Sequence, residues 1–127
     1  MRYSQKVVEH YTHPRGIGSF SSSEKGVLTG IVKRPATGDI LKLQLKVTSR
    51  GVIEDVRFKA FGGACTIGTL SLLVEKIKGK TLEEAVKIRP ADLAKELALP
   101  RIRLYCAQLA MQALRAAAAS QLTCQWL

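Results

Sequence analysis

The sequence predicts an α+β fold, with a small three-stranded antiparallel sheet and helices packed on one face of it. Two observations carry this prediction. Between residues 26 and 60 apolar residues tend to alternate with polar ones, the pattern of strands with one buried face. From residue 61 onward the apolar residues recur at helical spacing instead. Strands followed by a run of helices are typical of α+β domains.

The three strand segments follow one another along the chain. The first is GVLTGIVKRP, at 26–35. The second alternates lysine and glutamine with the apolar residues Leu41, Leu43, Leu45 and Val47. The third alternates at Val56, Phe58 and Ala60. Because the turn sequence TSRG separates the second segment from the third, these two form a predicted hairpin.

Helices are predicted before and after the strand segments along the chain. The first covers residues 3–12, with Val7, Val8 and Tyr11 at helical spacing, and His13-Pro14 ends it. A loop rich in glycine and serine, RGIGSFSSSEKG at 15–26, leads to the first strand. After the strands, one helical stripe ends before Gly79 and consists of Ile67, Leu70, Leu73, Val74 and Ile77.

Three further helices are predicted in the second half of the chain. Thr81 and Glu84 form a capping box that begins a short helix. PADLAKEL at 90–97 is another, with proline in its first turn. A long last helix begins at about Ile102, and its buried stripe consists of Cys106, Leu109, Ala113 and Leu114.

Length and composition predict one domain over residues 1–127, with a flexible tail from about residue 121. The sequence has no run of 18 apolar residues and opens with a polar, amphipathic stretch, so neither a membrane span nor a signal peptide is expected. The odd number of cysteines, Cys65, Cys106 and Cys124, indicates reduced thiols rather than a secreted disulfide framework. We therefore expect a cytoplasmic protein.

The net charge of +10 is a weak argument for a polyanionic partner. The 20 lysine and arginine residues are spread along the whole chain, whereas an arm that follows phosphates concentrates them. We therefore treat nucleic-acid binding as the least supported function, and a solvated basic surface as the plainer interpretation.

Two polar bends are predicted to meet at one end of the sheet. PATGD lies between the first and second strands, and GGAC lies between the third strand and the following helix. In an up-and-down sheet both bends fall at the same end, and Cys106 at the start of the last helix is expected to point there as well. An aspartate, one or two cysteines and a tyrosine in one cluster are suited to a metal or sulfur site.

Five separated stretches of this sequence match a known pattern: YSQKVVEHYTHPRGIGSF, GDILKLQLKV, GVIEDVRFKAFGGACTIG, VEKIKGKTLEEA and ELALPRIRLYCAQLA. Together they resemble the U-type iron-sulfur cluster assembly scaffold family, which includes IscU and the N-terminal domain of NifU. The resemblance is collinear and covers about residues 3–120. It implies a three-stranded sheet with packed helices and a scaffold rather than an enzyme. Such scaffolds accept sulfur from a cysteine desulfurase, assemble a [2Fe-2S] cluster on loop residues and deliver it with an Hsp70-type chaperone and its J-type co-chaperone.

The resemblance carries over unevenly at the site. The family's Ala-Cys-Gly-Asp loop is Ala36-Thr37-Gly38-Asp39 here, so the aspartate is retained and Thr37 replaces a thiol. A second cysteine is replaced by Gly63, and the histidine of a His-Cys pair by Tyr105. Cys106 remains, and the resemblance implies that it is a cluster ligand and the sulfur acceptor. The chaperone-recognition stretch, Leu-Pro-Pro-Val-Lys in the family, is partly altered and consists of Leu99, Pro100, Arg101, Ile102 and Arg103.

The remaining candidate metal ligands are Asp39, Cys106 and, if its loop repacks, Cys65. A [2Fe-2S] cluster takes four protein ligands, usually thiolates, so we expect one chain to hold a cluster or iron weakly. Zinc meets the same shortage, because its sites take three or four ligands. A homodimer would double the ligand count. Binding of no metal at all stays open.

Each candidate also has a plainer structural interpretation. Asp39 can cap its own turn, and Cys106 can serve packing alone. Cys65 is expected near a helix N-terminus, where a lowered pKa would make it reactive, and the alternative is an inert buried thiol. His10 and His13 are expected to be structural or solvent-facing, and Cys124 to be incidental.

The leading hypothesis is an atypical scaffold-family protein of iron-sulfur cluster assembly. It would act through desulfurase or chaperone binding, while Asp39 and Cys106 handle iron, sulfur or a cluster shared between chains. The alternative is a metal-free regulatory or decoy protein that competes with a true scaffold for those partners.

Overall fold

A computed structural model describes residues 3–21 and 23–125, with side chains described to residue 120. The strands are β1 (Val27–Arg34), β2 (Asp39–Val47) and β3 (Ile53–Phe61). The α-helices are α1 (Gln5–Thr12), α2 (Ala64–Ile77), α3 (Leu82–Ala85), α4 (Pro90–Leu97) and α5 (Tyr105–Gln125). A flexible tail is predicted from about residue 121. The structure describes no side chain in this part of the chain, that of Cys124 included, and residues 126 and 127 lie outside the described residues.

The three strands form one antiparallel sheet in the order β1-β2-β3, as the sequence predicts. Leu43 in the centre of β2 lies opposite Gly30 on one side and Phe58 on the other. The inward-facing leucines of β2 are fully buried because helices cover this face of the sheet. The predicted α+β class and the packing of helices on one face are confirmed.

Helix α5 lies directly across β1 and β2 on the inner face. The contact is close because Gly30 has no side chain there: a Cβ atom at this position would lie 2.2 Å from the Ala113 carbonyl oxygen and 2.6 Å from the Ala117 nitrogen. The backbone of α5 therefore packs against the backbone of β1. This close packing fixes where the first turn of α5, which carries Cys106, meets the end of the sheet.

The loop after α1 covers one edge and part of the outer face of the sheet. Gly18 N–H donates to the Phe58 carbonyl over 2.9 Å, and Phe58 N–H donates to the Gly16 carbonyl over 2.7 Å. Phe20 then packs on the outer face, where its N–H donates to Gln44 Oε1 and its ring lies under the Arg57 guanidinium. The outer face nearer the site keeps Ile40 and Phe61 exposed, Phe61 by 78%.

Helix α1 buries a different face from the one that its apolar spacing indicates. Val7 and His10 are buried, whereas Val8 and Tyr11 are about half exposed. His10 takes the buried position because Ser71 of α2 supplies a partner: the His10 Nδ1 and Ser71 Oγ atoms are 2.7 Å apart. The Arg15 N–H also donates to this hydroxyl. The buried position of His10 fits the structural role, which is one of the two alternatives expected for the histidines. His13 is exposed, and its Nδ1 atom lies 3.1 Å from the Thr12 hydroxyl oxygen.

We expect the stability of the fold to decrease as the pH falls below about 6.5, the ordinary histidine value. Burial lowers the pKa of His10, against the opposing charge of Glu75, so the unfolded chain binds this proton more readily than the folded chain does. His10 therefore contributes stability above the unfolded pKa that is lost as the pH falls through the folded pKa. Urea midpoints at pH 7.5 and 5.5 measure the loss, and His10→Gln should reduce it. An unchanged pH dependence in this variant would contradict the assignment.

The helix boundaries agree with the sequence except at two helix starts. Helix α1 begins at Gln5 rather than residue 3, because Ser4 is its N-cap and accepts from the Val7 N–H. The capping box of Thr81 and Glu84 is formed, and α4 begins with proline as predicted. The last helix begins at Tyr105 rather than Ile102, because a 3-10 turn over Arg101–Arg103 follows Pro100. Over the part of the chain that the structure describes, no helix is both long enough and apolar enough to cross a membrane.

Candidate functional site

Three separate elements bring Asp39, Thr66 and Cys106 together at one end of the sheet. Asp39 is the first residue of β2, Thr66 lies in the first turn of α2, and Cys106 lies in the first turn of α5. The Thr66 Oγ1 atom is 3.0 Å from Asp39 Oδ1 and 3.6 Å from Cys106 Sγ. The predicted meeting of the two polar bends with the start of the last helix is therefore observed.

Asp39 is buried, and hydroxyl groups satisfy both of its carboxylate oxygens. Thr66 donates to Oδ1 and Thr37 donates to Oδ2. Gly62 packs against the same carboxylate, where a Cβ atom would come within 2.3 Å of Oδ1. Thr37 thus belongs to the site, as the sequence suggests, but as a hydrogen-bond donor to Asp39. Because buried carboxylates need such partners, the two threonines let Asp39 stay in the interior.

The two thiols of the site are buried side chains with raised pKa values. Cys65 is 2% exposed and Cys106 is 1% exposed. Burial, together with the nearby Cys106, raises the pKa of Cys65 to about 11. Burial likewise raises the pKa of Cys106, and the charge of Asp39 acts in the same direction. The reactive, low-pKa alternative for Cys65 is therefore wrong: the thiol does lie in the first turn of α2, but loss of hydration outweighs the helix terminus.

The positions where the family resemblance implies other ligands have contrasting surroundings. Tyr105 is held by two arginines: the Arg34 guanidinium lies 3.9 Å from its ring centre, and Arg103 Nη1 donates to its hydroxyl over 2.9 Å. Gly63 precedes α2 as its N-cap, and a Cβ atom there would have no neighbour within 4 Å. The space for a side chain at Gly63 is therefore open, whereas Tyr105 is occupied in polar contacts.

The predicted chaperone segment, 99–103, lies immediately before α5 and beside the site. Leu99 packs partly against the core. Arg101 is exposed, and Ile102 is 64% exposed. Arg103 connects the segment to the site through Tyr105. The middle of the segment is thus accessible on the surface while its two ends are tied to the domain.

The sequence predicted that Asp39, Cys106 and Cys65 lie close together, but it did not identify some of the residues around them. Thr66 connects the carboxylate to Cys106, and the Tyr3 phenol lies beside Cys65. Its place as a polar residue in the first turn of α2, next to Cys65, is the one local signal for Thr66. Among the described residues, no three histidine, cysteine, aspartate or glutamate side chains are grouped so that they could hold a metal ion.

Comparison with known proteins shows the family of this chain. A sequence model described as NifU-like N terminal domain matches residues 2–124. The chain belongs to the NifU-like N-terminal domain family. It is 47% identical over 119 residues to the iron-sulfur cluster assembly scaffold protein IscU of Escherichia coli K12, which covers 94% of this chain and 93% of the relative. The protein with the same description from Azotobacter vinelandii is 45% identical over 117 residues, 92% and 91% of the two chains.

Solved structures share the NifU-like fold at lower sequence identity. A candidate SUF-system scaffold protein for iron-sulfur cluster assembly from Fervidobacterium islandicum AW-1 superposes with a TM-score of 0.72 at 20% identity, over 91% of this chain and 95% of that chain. A NifU-like N-terminal protein from Brucella abortus superposes with a TM-score of 0.68 at 17% identity, over 91% and 89%. These likenesses support the fold of the NifU-like family.

Proposed function

We propose that the chain acts in iron-sulfur cluster assembly as an atypical member of the scaffold family. One observation carries the proposal: Asp39 and Cys106, which match the family's site, lie in one buried group that Thr66 joins by hydrogen bonding. The 47% identity to a protein described as a cluster assembly scaffold supports the same role. The chain would receive iron and sulfur and pass them on without catalysing a reaction of its own.

The donor set makes the iron and sulfur handling weak or shared. A [2Fe-2S] cluster takes four protein ligands, and one chain offers Asp39, Cys106 and at most Cys65 at the site. Thr37, Gly63 and Tyr105 supply no thiolate or imidazole. A second copy of the chain would bring the ligand number to that of a complete site. Zinc would face the same shortage.

Binding to partner proteins would compensate for the weak handling of iron and sulfur by the incomplete ligand set. The exposed Ile102 and Arg101 support recognition of the segment 99–103 by an Hsp70-type chaperone. Exposed apolar side chains that flank the site, such as Ile40 and Phe61, give a cysteine desulfurase or a J-type co-chaperone surface to cover. We place these encounters in the cytoplasm, where the thiols stay reduced.

Delivery of sulfur to Cys106 would require local opening of the site. At 1% exposure the Cys106 thiol is beyond the reach of a donor persulfide in the closed structure. Short loops and helix ends are the parts of a domain that open at low cost. A bound desulfurase would therefore act on an opened form of the loops around Asp39 and Tyr105.

We expect anaerobic reconstitution with ferrous iron, sulfide and a cysteine desulfurase to give sulfur-to-iron charge-transfer absorption that is weak and lost on gel filtration. Cys106→Ser should abolish it, because this substitution removes the one thiol at a family ligand position. Cys124→Ser is the matched control and should leave the absorption unchanged. A colourless product that still binds the desulfurase would instead favour the metal-free regulatory or decoy protein.

A further inference from the structure

One threonine hydroxyl connects two parts of the site that are far apart in the chain. Thr66 Oγ1 donates to Asp39 Oδ1 over 3.0 Å, and Cys106 Sγ lies 3.6 Å from the same Oγ1 atom. Because the hydroxyl hydrogen of Thr66 is directed to the carboxylate, the Cys106 thiol is the donor in the second contact. These two contacts, the Thr66 link, join the start of β2 to the first turn of α5 through α2.

The Thr66 link lies in the interior, where water does not replace it. Asp39 is 3% exposed, and Thr66 and Cys106 are each 1% exposed. Gly62 packs on both members of the stronger contact, since a Cβ atom there would lie 2.3 Å from Asp39 Oδ1 and 3.0 Å from Thr66 Cβ. A carboxylate oxygen that lost its donor here would stay unsatisfied as long as the site remained closed, which is costly for a charged group.

We propose that Thr66 is a positioning residue that holds the site closed over Cys106. With the hydroxyl present, the Asp39 carboxylate keeps a donor on Oδ1 and the thiol keeps an acceptor. Without it, Asp39 regains a donor when its bend moves outward to water, and the first turn of α5 loses its connection to that bend. The exposure of Cys106 is thus set by Thr66. A role of this opening in sulfur delivery rests on the proposed function, whereas the opening itself needs no sulfur, metal or partner.

Thr69, one turn further along α2, provides a matched comparison. Its side chain is also fully buried, and its hydroxyl donates to the Cys65 carbonyl oxygen over 2.6 Å. This hydrogen bond stays within α2, whereas those of Thr66 cross to β2 and α5. Valine at either position keeps the shape of the side chain and removes its hydroxyl. Thr69→Val therefore controls for the loss of a buried hydroxyl and leaves the Thr66 link intact.

The test measures opening in the metal-free full chain by two methods. Hydrogen–deuterium exchange is followed in peptides that cover residues 34–40 and 103–110, and modification of Cys106 by N-ethylmaleimide is located by peptide mass. We expect Thr66→Val to speed both about tenfold, the factor that corresponds to losing a hydrogen bond to a charged group. Thr66→Ser should restore the slow rates, and Thr69→Val should resemble the unchanged chain. Exchange around Leu43, in the centre of β2, reports global unfolding and should change less.

Several results would overturn the inference. Equal acceleration in Thr66→Val and Thr69→Val would mean that loss of any buried hydroxyl is enough. Faster modification of Cys106 with unchanged hydrogen exchange would mean altered thiol reactivity rather than opening. Fast rates in Thr66→Ser, or slow rates in Thr66→Val, would also contradict the role of the hydroxyl.

Two further measurements separate this inference from the stability of the variants and from the proposed function. In the unchanged chain, residues 34–40 and 103–110 should open together with matching protection from exchange, and clearly different protection would overturn the inference even if Thr66→Val did not fold. A Thr66→Val chain that opens yet accepts no sulfur on Cys106 from a cysteine desulfurase would support the role of Thr66 and contradict the acceptor role of Cys106.

Discussion

Replacing Thr37 and Gly63 by cysteine and Tyr105 by histidine should produce a protein that keeps a [2Fe-2S] cluster through gel filtration. The triple substitution supplies three of the ligands that the resemblance implies, in addition to Asp39 and Cys106. Gly63 has open space for a side chain, and Thr37 already lies against Asp39. Loss of Tyr105 releases Arg34 and Arg103 from the ring and hydroxyl that they contact. The visible spectrum and the iron and sulfide content per chain after desalting measure the gain.

The matched control is the triple variant that also carries Cys106→Ser, which should hold less cluster than the triple variant alone. Far-UV circular dichroism establishes that both variants are folded. A folded triple variant that stays colourless after reconstitution would mean that these positions do not form the metal site.

Gly30→Ala should destabilise the fold by about 3 kcal/mol, the upper part of the usual range for overpacking a core. The added methyl group would meet backbone atoms of Ala113 and Ala117, which cannot rotate away as a side chain can. Helix α5 must therefore shift off β1. Chemical denaturation followed by circular dichroism measures the change as a lower urea midpoint.

Gly63→Ala provides the comparison for this substitution. A Cβ atom at Gly63 meets nothing within 4 Å, and its φ of −78° is one that alanine adopts readily. We expect only a small loss, because glycine is merely the better N-cap residue. Equal losses in the two variants would show that the approach of α5 to β1 is looser than the structure has it.

The features that sequence reasoning predicted well depend on neighbours in the chain. The alternation of Leu41, Leu43 and Leu45 indicates a strand with one buried face. The capping box depends on Thr81 and Glu84, which are three residues apart in the chain. The failures involve partners far away in sequence. His10 is buried because its ring nitrogen pairs with the hydroxyl of Ser71, 61 residues later, and Thr66 donates to Asp39 across 27 residues. Spacing within one sequence does not report such pairs.

The pKa of Cys65 likewise depends on parts of the chain that are distant in sequence. Its place in the first turn of a helix is a local property, and the sequence indicates it correctly. Its pKa is set instead by burial, which depends on how α2 packs against the rest of the domain. The resemblance to the scaffold family directed attention to Asp39 and Cys106. It gave no role to Thr66 and Tyr3, because both residues lie within the stretches compared but neither falls on a site position that the resemblance implies.

The hydroxyl groups around Asp39 affect how long an iron ion would stay there. An ion that approaches Oδ1 or Oδ2 competes with Thr66 or Thr37, and a hydrogen bond to a charged group contributes about 1.5–3 kcal/mol. The same hydroxyls return to the carboxylate when the ion leaves, so the vacated aspartate is never left without a donor. Departure is thereby made easier than from a carboxylate with no competing donors. Under the proposed scaffold role, such a balance would favour brief residence of iron and rapid transfer to an acceptor over storage.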